Sequence, residues 1–305
     1  MNHSILALLL AFLTLPLIGQ EEFVFRSDTR LVVLHTTVAD RNGKLVADLP
    51  QKAFKVYENN VEQEVKLFRR EDIPISVGLV IDNSASMRDK RQKVGAAALQ
   101  LVKASNPQDE VFIVNFSDSA YLDCPFTNSI PKLEEGLAHL DSRGTTAMRD
   151  AIAMSINYMK NNAKLEKKVL LVVSDGDDNL SELTLEQLIR QAQQAEVLIY
   201  AIGLLTEEDR ASARQAQKAL DTITEATGGA PYYPKALAEV DQIALQVAHE
   251  VRNQFTIGYS PSQQALDGSF RQIRVAVDGP NRPVARTRTG YWATPEPRAK
   301  PAAPK

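Results

Sequence analysis

Pro74-Ile75-Ser76-Val77-Gly78-Leu79-Val80-Ile81-Asp82-Asn83-Ser84-Ala85-Ser86 is the stretch that decides the fold. Its nearly continuous apolar run from Ile75 to Ile81 has the pattern of a strand buried on both faces of a parallel sheet. Runs of the same kind recur at Val111–Phe116, Val169–Val173 and Val197–Ile202. Helical stripes lie between and after them. Val94, Ala97, Ala98, Leu101 and Val102 form one; Met148, Ala151, Ile152, Ser155 and Met159 form a second. Thr184 to Ala195 reads as a third helix, Thr206 with Asp209 as the capping box of a fourth, and Val240, Ile243, Ala244, Val247 and Val251 as a fifth. Strand and helix alternate from residue 74 to 253, which predicts an α/β domain built on a doubly wound, mainly parallel sheet.

Outside that span the texture is β. Leu31–Val38, Ala53–Tyr57 and Val61–Phe68 alternate or are β-branched, with Asn42-Gly43 and Glu58-Asn59-Asn60 as turns. Gln254–Ser260, Phe270–Val277 and Val284–Thr289 follow the α/β span. Residues 21–73 and 254–293 each hold too few strands to bury a core alone. They are expected to pair into one small antiparallel β-sandwich with the α/β domain inserted between them.

Residues 1–20 contain no Asp, Glu, Lys or Arg, and their apolar run is broken at Pro16. They read as a secretory signal peptide cleaved near residue 20, which implies export to the periplasm, cell surface or medium with no transmembrane segment in the mature chain. Residues 294–305 are rich in Pro, Ala and Lys and read as a disordered tail. The chain of 305 residues has a net charge of −3 and no Lys/Arg run, so nothing draws it to nucleic acid. Cys124 is the one cysteine, which rules out an internal disulfide and leaves stability to the core.

The candidate chemistry sits where the first buried strand ends. Asp82, Ser84 and Ser86 put three oxygen groups on one tight turn. Hard divalent cations such as Mg2+ or Mn2+ take oxygen ligands in octahedral array, and one loop cannot surround such an ion. Two other loops offer more oxygen. Asp175 follows the strand Val169–Ser174, and Thr145-Thr146 precede the helix that contains Asp150. Either threonine could turn its hydroxyl toward the site in place of capping its own helix.

Asp82-x-Ser84-x-Ser86, then Gly144-Thr145-Thr146 before a helix, then Ser174-Asp175-Gly176 at a strand end, resembles the motif order of von Willebrand factor type A (VWA) domains. The resemblance covers about residues 74–253 and implies a Rossmann-like fold with a metal-ion-dependent adhesion site. It implies that Ser84, Ser86 and Thr146 contact the metal directly, and that Asp82 and Asp175 hold it mainly through water. Thr146 is chosen over Thr145 because Thr146-Ala147-Met148-Arg149-Asp150-Ala151-Ile152 is similar to the family's Thr-Ala-Leu-x-Asp-Ala-Ile run. It further implies adhesion or protein–protein interaction through an exposed Asp or Glu of a protein partner, and no enzymatic activity. The flanking β segments, with Phe255-Thr256-Ile257-Gly258-Tyr259 and Gly290-Tyr291-Trp292, resemble exported VWA-related proteins of acidobacterial type.

The same residues admit two rival functions. As a phosphohydrolase, Asp82 would be the nucleophile of an aspartyl-phosphate enzyme, but Ser84 stands where that chemistry needs a second, acidic Asp. As a structural site, the metal would only stiffen loops; three neutral hydroxyls as direct ligands argue against it. Asp175 to Glu186 also has calcium-loop spacing, but Leu180 stands where that loop needs Gly. His35, His139 and His249 lack metal-ligand spacing, and Asp178 and Glu182 read as solvated charges or first-turn charges of a helix.

Overall fold

A computed structural model describes residues 30–70, 72–138, 144–176, 178–205 and 210–295. The predicted signal peptide, His139, the Thr206–Asp209 capping box and the tail beyond residue 295 lie outside the described residues. The first half of the chain forms β1 (Val32–Ala39), β2 (Phe54–Glu58), β3 (Val61–Gln63), β4 (Val65–Arg69), β5 (Ile75–Asp82), α1 (Arg91–Lys103), β6 (Glu110–Phe116), β7 (Ala120–Thr127), α2 (Ile130–Leu137) and α3 (Met148–Asn162). The second half forms β8 (Lys167–Ser174), α4 (Leu185–Gln194), β9 (Val197–Gly203), α5 (Arg210–Thr227), β10 (Pro231–Tyr232), α6 (Val240–Arg252), β11 (Phe255–Tyr259), β12 (Phe270–Val277), β13 (Val284–Arg286) and β14 (Gly290–Trp292).

The central sheet has six strands in the order β10-β9-β8-β5-β6-β7, parallel throughout except for β7 at its edge. Every residue of β5 is buried, which is why it reads as a nearly continuous apolar run. Its pleat still sorts side chains by face: Val77, Leu79 and Ile81 pack with α1 and α6, and Val80 packs with α3. Gly78 is required between them, because a Cβ there would lie 2.4 Å from both Leu170 and Phe112.

The strands before β5 and after α6 share two antiparallel sheets, β13-β1-β11-β4 and β14-β12-β2-β3. Val32, Leu34, Phe54, Phe255, Ile257 and Ile273 draw both sheets into one core, so the two layers pack face to face as the sequence predicts. Asn59 and Asn60 both take positive φ in the β2–β3 hairpin, the conformation of a type I′ turn.

Three features depart from the sequence reading. Asn42-Gly43 makes a turn closed by a single bridge, Ala39 to Leu45, and not a full hairpin. The expected strand Val284–Thr289 stops at Arg286 as β13 on β1, and a separate strand in the other sheet, β14 on β12, begins only at Gly290. The chain changes sheet at Thr287–Arg288, where Thr287 Oγ1 donates to His35 O at 3.1 Å and Arg288 donates to Val33 O at 3.0 Å. Finally, β7 and α2 carry no strong sequence signal. β7 is an antiparallel edge strand with Tyr121 and Leu122 exposed and Pro125 inside it, so its apolar pattern is weak.

Buried polar groups join the α/β body to the flanking sheets. Glu250 on α6 accepts from Tyr200 OH at 2.7 Å, Tyr232 OH at 3.0 Å and Thr37 Oγ1 at 3.2 Å, and pairs with Arg286. Nearby, Lys167 is buried and donates to Val251 O. Burial first, and the charge of Arg252 next, bring its pKa down to about 7 from 10.5. Between those two values the unfolded chain holds a proton that the folded chain lacks, so this group makes stability rise with pH across that window. Lys167→Met is expected to flatten the rise, read as urea midpoints across the window; an unchanged slope would remove Lys167 as its source.

Candidate metal centre

Asp82 ends β5 and Ser174 ends β8, and the two strands are parallel neighbours with Ile81 opposite Val173. The chain leaves β5 for β6 on one side, while β8 lies on the other. Their carboxyl ends therefore flank the point where strand order reverses, the place where open α/β sheets collect ligands.

Asp82 is fully buried and both its oxygens are occupied. Oδ1 accepts from Ser84 N at 2.8 Å and Oδ2 from Ser174 Oγ at 2.7 Å. Burial pushes its pKa up, the hydrogen bonds from Ser174 and Ser84 oppose that, and the charge of Asp175 adds to it. Ser84 Oγ lies 3.1 Å from Ser86 Oγ, which donates to Asp175 Oδ1 at 2.8 Å. The other oxygen of Asp175 pairs with the Lys90 ammonium, at the N-terminal end of α1. Ser84 and Asp175 are buried, whereas Ser86 is exposed, so the cluster opens to solvent on the Ser86 side.

The third loop is oriented by Asp118. Thr145 donates to Asp118 Oδ1 through both its backbone N and its hydroxyl, the latter at 2.6 Å. Gly144 has φ +81°, and a Cβ there would meet the Asp118 carboxylate at 2.6 Å. With Thr145 turned outward, Thr146 is buried beside the cluster, and a Cβ on Gly176 would lie 3.9 Å from Thr146 Oγ1. The first amides of α3 are satisfied from elsewhere. Arg149 N donates to Asp178 Oδ2 at 2.7 Å and Asp150 N to Ser181 Oγ at 3.2 Å. Thr146 is thereby released from capping. Asp178 is thus no solvated charge: its side chain is 4% exposed and also pairs with Arg149.

All five sequence-predicted residues, Asp82, Ser84, Ser86, Thr146 and Asp175, converge at this one end of the sheet. Their chemistry suits a hard cation: two carboxylates and three hydroxyls, with no sulfur or imidazole. Adjacent ligands of an octahedral ion with bonds of about 2.1 Å stand about 3.0 Å apart, so the 3.1 Å Ser84–Ser86 oxygen separation matches one edge of such a shell. Among the described residues no three His, Cys, Asp or Glu side chains converge on a common point. His35 lies on β1 and His249 on α6, both away from these loops.

The sheet and its strand-end oxygen cluster define a class of α/β domain with a loop-built polar site. Residues 77–177 match the family model of the von Willebrand factor type A domain, and the chain carries such a domain. Integrin alpha-11 of Mus musculus is 32% identical over 104 residues, covering 32% of this chain and 9% of the integrin. An uncharacterized protein of Borreliella burgdorferi is 22% identical over 174 residues, covering 56% of this chain and 50% of that protein. The chain thus spans half or less of either relative. A solved structure, a von Willebrand factor type A protein from Catenulispora acidiphila, aligns with TM-score 0.50 at 16% identity over 75% of this chain and 52% of that one, a likeness of fold.

Lys90, Ser174 and Asp118 also shape the cluster, and the sequence pattern alone gives them no role. Ser174 sits beside Asp175 and was legible as a neighbour. Lys90 and Asp118 reach the site only through a helix start and a turn from other strands, which no local pattern reports.

Proposed function

We propose that this protein is an exported, non-enzymatic adhesion or protein-interaction module that binds one divalent cation, Mg2+ or Mn2+, and through it a carboxylate of a protein partner. The observation that carries this reading is the Ser84–Ser86–Asp175 chain of oxygens beside the buried Thr146, open to solvent at Ser86. Ser84, Ser86 and Thr146 would hold the cation directly, with Asp82 and Asp175 behind them. When bound, the cation supplies an electrophilic position for an oxyanion from outside. Asp82 and Asp175 carry two negative charges and Lys90 offsets one of them, so the site itself does not neutralise a divalent ion. A partner Asp or Glu completes the balance.

Asp82 makes a poor nucleophile: it is fully buried and both oxygens accept hydrogen bonds, which disfavours the phosphohydrolase alternative. The export reading rests on residues 1–20; among the described residues no helix is long and apolar enough to cross a membrane.

The test is capture of partners from the native envelope or medium by the mature chain. Binding is expected in Mg2+ or Mn2+, to vanish in EDTA, and to fail when one partner Asp or Glu is changed to Ala. Undiminished capture in EDTA would overturn the metal bridge.

A further inference from the structure

The opposite end of the α/β body holds a second site of different chemistry. Lys168, near the start of β8, is seven residues before Asp175, which at about 3.3 Å per residue places it about 20 Å from the metal centre. Here the flanking sheets and the α/β body line a cavity of about 530 Å3. That volume lies within the range of small-molecule sites, which favour such junctions.

The lining is divided by polarity. Val33, Leu67, Ile73, Leu165 and Leu198 make an apolar surface. Arg69, Lys164, Lys168 and Arg288 set four cations around it, against Glu166 and Glu196. Among the described residues, Arg69, Lys164 and Lys168 have no ion-pair partner. Arg288 is 8% exposed, and its guanidinium holds Glu196 Oε1 at 2.8 Å and Val33 O at 3.0 Å. His35 lies on the same wall. Burial first, then the charges of Lys167 and Arg288, bring its pKa down to about 3, so it stays neutral and adds no charge to the positive excess of the lining.

We propose that this cavity binds a small amphiphilic anion, its apolar body against Val33, Leu67 and Leu198 and its carboxylate or other oxyanion head facing Arg69 and Lys168, with Arg288 adding positive charge at the wall. Neither half of the lining suffices alone. The apolar surface gives affinity without choice of head group, and the cations reject a neutral amphiphile only by withholding the extra attraction. The site shares no residue with the metal centre and does not depend on it.

The test uses the full mature chain and the fluorescent anion 1-anilinonaphthalene-8-sulfonate, with decanoate and decanol as competitors. One probe is expected to bind per chain, displaced by decanoate at least tenfold more effectively than by decanol. Arg69→Glu with Lys168→Glu reverses two charges that are not fully buried, and should weaken probe binding at least tenfold with the fold preserved by circular dichroism. Leu67→Trp should fill the cavity and abolish binding by a second route. EDTA and Ser84→Ala/Ser86→Ala should leave probe binding unchanged, which separates this site from the metal centre. Absence of probe binding to the native chain, equal affinity in the charge-reversed variant, or equal displacement by decanol would each overturn the proposal.

Discussion

Changing Ser84 and Ser86 together to Ala is expected to weaken Mg2+ or Mn2+ binding by at least about a hundredfold, since changes to metal-supporting residues one shell further out already cost about 10–100-fold. Both hydroxyls are direct donors in the proposed shell, and among the described residues the neighbouring oxygens are engaged elsewhere. Asp82 is tied to Ser84 N and Ser174, while Thr145 is turned to Asp118. The fold should survive. The double change removes the Ser84–Ser86 contact and the Ser86–Asp175 hydrogen bond, each worth about 0.5–1.5 kcal/mol, and touches neither face of the central sheet. Calorimetry with either metal reads the affinity, and a thermal melt reads the fold. Thr146→Ala should also weaken binding, while Thr145→Ala should act only through loss of its Asp118 anchor. Equal affinity in the native and doubly changed chains would remove these serines from the site.

The sheet was legible in the sequence because its strands are buried on both faces. Ile75–Ile81, Val111–Phe116, Val169–Val173 and Val197–Ile202 leave no polar alternative, and each falls within a strand of the central sheet. What the pattern missed is half-exposed or turns between layers. β7 shows Tyr121 to solvent, and the chain at Thr287–Arg288 crosses between sheets through hydrogen bonds to His35 and Val33, partners over 250 residues away. The cluster shows the same division. Asp82, Ser84, Ser86 and Asp175 announce themselves by standing directly after buried runs. The choice between Thr145 and Thr146 turns on Asp118, which lies on another loop and claims one of the two hydroxyls. Asp178 misleads for the same reason: in sequence it is one of several loop acids, and in space it caps α3.

Replacing Lys90 by Met is expected to strengthen Mg2+ binding about tenfold or more. Lys90 lies at the N-terminal end of α1, where the helix dipole disfavours a cation, yet its ammonium is held on Asp175. The pair places one positive charge on a carboxylate that the divalent ion also needs. At about 4 Å and an effective dielectric of about 20, two unit charges interact by about 4 kcal/mol, and a tenfold change in affinity needs only about 1.4 kcal/mol. The Lys90 side chain is 21% exposed and can swing outward into water, so part of that repulsion is screened and the tenfold figure is the conservative end. Lys90→Arg keeps the charge and should bind the metal as the native chain does, which separates charge from loss of packing. The strengthened Lys90→Met site would be more nearly neutral once loaded, and should hold a partner carboxylate less tightly even as it holds the metal better. Mn2+ titration followed by electron paramagnetic resonance reads the first effect directly. Affinity that stays level or falls in Lys90→Met would show that the lysine supports Asp175 in the metal shell, and that the two cations do not contend for it.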